Sequence, residues 1–62
     1  EMSALDDLME CHENAEALKN LLEDVSPNSD QANVYIGYAN SHLDEVIKYI
    51  RRSAKAEEKP HE

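Results

Sequence analysis

Sixty-two residues with a net charge of −8 make one small domain, near the size at which a lone hydrophobic core is marginal and a second chain or a staple is needed. One glycine, two prolines and no aromatic residue beyond three tyrosines leave little turn material for a multi-stranded sheet, so the predicted fold class is all-α. The acidic balance makes nucleic acid an unlikely partner, because every phosphate contact needs a cation, and no apolar run is long enough to cross a bilayer.

The single cysteine forms no internal disulfide, and the first residues lack a basic-then-apolar leader pattern. The expected setting is the cytoplasm, with no membrane association. Charge is also uneven along the chain. Residues 1–45 hold eleven acids and one base, whereas residues 46–62 hold three acids and five bases. Such a chain suits a protein partner with a basic surface.

Taking the elements in order, Ser3 is a candidate N-cap, with Asp6 at the third helical position and Asp7 also in the first turn. From Ala4 an apolar stripe reads Ala4, Leu8, Cys11, Ala15, Leu18, Leu22, Val25, a heptad spacing that predicts helix 1 over about residues 4–25. Leu5, His12 and Leu21 lie on its shoulders. Ser26-Pro27-Asn28-Ser29 breaks the pattern and predicts a turn at 26–29, with Asn28 or Ser29 available to cap the next helix.

Helix 2 is expected over about 30–55. Its stripe is Ala32, Ile36, Ala39, Leu43, Val46, Ile50, Ser53, with Tyr35, His42 and Tyr49 beside it at seven-residue intervals and Ile47 on the flank. The last residues carry a proline and no apolar stripe. The domain is therefore placed at 1–57, with 58–62 a disordered tail.

Folded back across the short turn, the two stripes form an antiparallel two-helix hairpin. The register that sets Leu22 against Ile36 and Ala15 against Leu43 also brings Glu10 near Lys48, Asp7 near Arg51 and Asp6 near Arg52. That leaves Leu5, His12, Leu21, Tyr35, His42, Ile47 and Tyr49 unburied. Exposing each large one forgoes about 1.5–3 kcal/mol, so the predicted assembly is a homodimer of hairpins, a four-helix bundle joined through those seven residues.

Little in the chain points to chemistry. Cys11, His12 and His42 do not supply a converging tetrahedral zinc set, and Gly37 stands alone without a phosphate loop, so neither metal nor cofactor is expected and no catalytic residue is assigned. Gly37 matters for another reason. A mid-helix glycine costs about 1 kcal/mol relative to alanine, and here it lies off the seam. With Val34, Tyr38, Ser41, Asp44 and Glu45 it forms a candidate partner-binding patch, anchored by Tyr38. The expected function is that of an inhibitor, adaptor or antitoxin-like regulator that binds another protein, not an enzyme.

Two families offer resemblances. In length and topology the predicted hairpin is similar to the plasmid-encoded Rop proteins, which dimerise and bind RNA. That activity needs a basic helix face, and helix 1 has only Lys19 among six acids between Asp6 and Glu23. The segment Ser41-His42-Leu43-Asp44-Glu45-Val46-Ile47 resembles the Ser-Gln-x-Leu-Asp-x-Leu-Ile signature of small sporulation-type aspartyl-phosphate phosphatases, one residue shorter and without the glutamine. This resemblance implies an alternative, in which Ser41 and Asp44 belong to a site that engages the phosphoryl-aspartate of a response regulator.

Overall fold

The computed structural model describes residues 3–58 and contains two helices, α1 (Ala4–Glu23) and α2 (Asp30–Glu58), packed against each other as a hairpin. Both begin on a serine cap. The Asp6 amide donates to Ser3 Oγ at 3.1 Å, and the Ala32 amide donates to Ser29 Oγ at 3.1 Å, so Ser29 and not Asn28 starts α2.

α1 stops two residues earlier than its stripe suggests. Pro27 lacks an amide proton and disfavours helical backbone at Ser26, and Glu23 and Asp24 bring negative charge to the negative end of the helix dipole. The last turn closes with i→i+3 bonds, the Asp24 and Val25 amides donating to the carbonyls of Leu21 and Leu22. α2 runs further than expected, because Ala56, Glu57 and Glu58 are strong helix formers that extend it past Lys55. Glu58 is thus helical, and the rest of the expected tail, 59–62, lies outside the described residues.

The seam differs from the expected one by a rotation of α1 and of the second half of α2. The sheltered positions on α1 are Leu5, Leu8, His12, Ala15, Glu16, Lys19 and Leu22; on α2 they are Ala32, Ile36, Ala39, Asn40, Leu43, Ile47, Ile50 and Ala54, with Glu16 and Asn40 at the edge of the seam. Ala4, Cys11, Leu18, Val25, Val46 and Ser53, expected in the seam, are exposed. Ile47, expected on an outer shoulder, is 6% exposed, and with Ala15 at 8% it forms the buried centre among the described residues. Leu5 and His12 likewise turn inward and are half-buried.

Two polar seam residues explain why apolarity alone misplaced α1. Lys19 lays its aliphatic stem along the seam and carries its ammonium out to Asp44. His12 Nε2 accepts a 3.0 Å hydrogen bond from Arg51 Nε. The register moves with them. Lys19 meets Asp44 and His12 meets Arg51, each five to six residues, about one and a half helical turns, further along α2 than the expected alignment. The anticipated pairs Glu10–Lys48, Asp7–Arg51 and Asp6–Arg52 are not formed. Residues 24–29 all belong to the connection between the helices.

Candidate interaction surfaces

An antiparallel pair has a simple rotational consequence. At about 100° per residue, the position one before a seam residue points to the same side of the hairpin on both helices, and the position one after points to the other side. The sequence therefore writes two different faces.

One face carries Asp6, Glu13, Glu16, Asn20 and Glu23 from α1 and Asp44, Lys48, Arg51 and Lys55 from α2. The ion pairs between helices lie here. Lys19 bonds Asp44, and Arg51 reaches Glu16 Oε1 at 3.4 Å while its Nε donates to His12. The hydrogen bond to Asp44, and then its charge, raise the Lys19 pKa above the ordinary 10.5. A groove of about 470 Å³ opens at one end of this face, floored by Leu8, Ile50 and Ala54 and edged by Arg51 and Lys55.

The other face carries Ala4, Asp7, Cys11, Asn14, Leu18 and Leu21 from α1 and Gln31, Tyr35, Tyr38, His42, Val46, Tyr49 and Ser53 from α2. Apart from Asp7 at its far end, none bears a formal charge when the histidine is neutral. Its apolar members are open to solvent: Leu18 is 48% exposed, Leu21 65%, Tyr35 60% and Val46 45%. Tyr35 and Tyr38 pack edge to face at 6.3 Å. Tyr49 marks the border, with the Arg52 guanidinium 5.5 Å from its ring centre and the Lys48 ammonium 5.8 Å away.

Of the seven residues expected at an inter-hairpin contact, Leu21, Tyr35, His42 and Tyr49 share this uncharged face. Leu5, His12 and Ile47 do not, because the hairpin itself shelters them. Sequence reasoning assigned Leu18 and Val46 to the seam and so missed them here. The signal that would have found them is the absence of charge at 11, 14, 18 and 21 together with 35, 42, 46 and 49.

The candidate patch residues Val34, Gly37, Tyr38, Ser41, Asp44 and Glu45 are all exposed. A Cβ added at Gly37 would meet nothing within 4 Å. The six residues do not form one surface, however. Tyr38 belongs to the uncharged face, whereas Asp44 belongs to the charged one and is engaged by Lys19.

Among the described residues no group of three or more His, Cys, Asp or Glu is placed to hold a metal ion, and no helix is long and apolar enough to cross a membrane. Compared with protein-family models, curated proteins and solved structures, the chain matches none.

Proposed function

We propose that this chain is a helical interaction module that acts by binding another protein, as an inhibitor, adaptor or antitoxin-like regulator, and that it works as a dimer of hairpins in a four-helix bundle. One observation carries the reading. Two of the described residues, Ala15 and Ile47, form the buried core, while nine large hydrophobic side chains stand 45% or more exposed. A chain that leaves this much apolar surface in water forgoes stabilisation that only a partner restores.

The outer side of α2 suits a second protein. Val34 and Tyr38 supply apolar area one turn apart, and Gly37 between them leaves the helix backbone open to close approach. Replacing Gly37 with alanine tests this directly. The Gly37→Ala hairpin should be more stable by up to about 1 kcal/mol, since the new methyl meets no neighbour and the helix gains propensity. The same mutant should bind its partner more weakly. Tyr38→Ala should weaken binding by about 2 kcal/mol or more while leaving helicity unchanged. Quantitative capture of the partner by wild type and both mutants makes the comparison. Equal capture by all three would remove the outer side of α2 as a docking surface.

A further inference from the structure

The closed half of the hairpin, around the connection 24–29, differs from the rest of the chain in apolar exposure and in charge. Of the nine large hydrophobic side chains exposed among the described residues, six lie here: Leu18, Leu21, Val25, Val34, Tyr35 and Tyr38. The same region lacks positive charge. No lysine or arginine occurs from Asn20 to Ile47, a run that holds Glu23, Asp24 and Asp30 beside the connection. Resting on the reading of this chain as an interaction module, we infer that the closed end docks a cationic amphipathic segment of a different protein. Its apolar side chains lie on Val34, Tyr35 and Tyr38, and its lysines or arginines meet Glu23, Asp24 and Asp30.

The end of α1 supplies the first argument. A helix C-terminus is the negative pole of its dipole and favours a cation nearby. α1 instead ends on Glu23 and the cap Asp24, with no basic residue in its last turn. Glu23, Asp24 and Asp30 also take part in no ion pair among the described residues, whereas Asp44 is held by Lys19, Glu16 by Arg51 and Glu45 by Lys48. Negative charge is thus answered within the chain elsewhere and left unanswered here.

The tyrosines supply the second. At the other end of α2 the Tyr49 ring already has cations over it, Arg52 at 5.5 Å and Lys48 at 5.8 Å. Tyr35 and Tyr38 pack edge to face at 6.3 Å, are 60% and 59% exposed, and have no such cation among the described residues. Each ring offers apolar area together with a face that attracts an ammonium or guanidinium group. Asp30 stands one turn before Val34 on α2, so acid and apolar contact lie side by side on one helix. Charge also selects among occupants. A second copy brings the same acids and the same helix end against themselves, and phosphate backbones or anionic lipid are repelled likewise.

Two synthetic helical peptides test the inference, one of leucine and lysine with leucines at helical spacing, the other with glutamate in place of every lysine. Each is titrated into the wild-type protein and followed by backbone amide shifts. The lysine peptide should bind at least about tenfold more tightly than the glutamate peptide, weaken in high salt, and shift residues 21–38 most. Tyr35→Ser, and separately Asp24→Asn with Asp30→Asn, should weaken it by about tenfold. Asp6→Asn with Asp7→Asn, at the open end, should leave it within about twofold.

Equal affinity for the two peptides, or no binding of either at millimolar concentration, would overturn the inference. So would equal losses from the open-end and closed-end charge changes, which would show attraction to the overall charge of −8 rather than to a site. A peptide-free mass of two chains that Tyr35→Ser returns to one would overturn it as well, by giving this surface to a second copy. Asp24, Asp30 and Tyr35 lie outside the Gly37 patch. The titration can therefore fail while Gly37→Ala and Tyr38→Ala still weaken partner capture, and equal capture by those mutants leaves the effects of Asp24, Asp30 and Tyr35 to be read on their own.

Discussion

The two broad faces of this hairpin are built by the same two helices, one residue apart in phase, and they solve opposite problems. On the charged face, long side chains fold over the seam and satisfy one another across it, Lys19 with Asp44 and Arg51 with Glu16 and His12. On the uncharged face no comparable closure exists, and Leu18, Leu21, Tyr35 and Val46 stand in solvent. A face that satisfies itself can remain a surface. One that cannot leaves its apolar side chains in water.

Breaking the seam that separates them should have the largest effect. Ile47→Ala removes most of the buried centre and should cost about 2–5 kcal/mol, whereas Val46→Ala, one position away on the open face, should cost less than about 1 kcal/mol in protein dilute enough to be single hairpins. Urea titration followed by circular dichroism reads both. Equal costs would mean that the two positions are equally packed and the assigned rotation of α2 is wrong.

Asn40 sharpens the contrast from the charged side. It is half-buried, and its Oδ1 is shielded from solvent without a hydrogen-bond partner. Asn40→Ala removes that orphan acceptor and adds helix propensity, so it should stabilise the protein by about 1 kcal/mol in the same titration. Destabilisation would show that the amide is satisfied after all.

The ion pairs should matter less. Arg51→Ala breaks both the Glu16 and His12 contacts but acts on exposed groups, and should cost less than about 1 kcal/mol, shrinking further in high salt. A larger and salt-independent loss would show that Arg51 packs rather than pairs.

The smallest effect concerns Lys19. Folding raises its pKa above 10.5, chiefly through the hydrogen bond to Asp44, so its contribution is fully present below pH 10.5 and is lost as the pH climbs through the folded value. Lys19→Met should abolish that faint alkaline slope and leave the melting temperature near neutrality almost unmoved. A slope of unchanged size in the mutant would assign it to another group.

How much of this was legible in the chain can be judged residue by residue. Ser3 as a cap, Asn28 or Ser29 as the second, Pro27 as the break, and Leu8, Ala15, Leu22, Ile36, Leu43 and Ile50 as seam positions all follow from local rules of capping and period, which act over a few residues. The six patch residues were correctly expected to be exposed. Their split between faces was not, because it depends on where α1 sits.

Local sequence thus determined two helices, their direction and the turn between them. Only the tertiary structure decided the rotation of α1 and the register, because His12 and Lys19 read as polar yet fit the seam once Arg51 and Asp44 lie across from them. An apolar stripe one residue away, through Cys11, Leu18 and Val25, scores better by composition and loses. Choosing between adjacent stripes on a helix needs the partner helix in place, and no period within one helix contains that information.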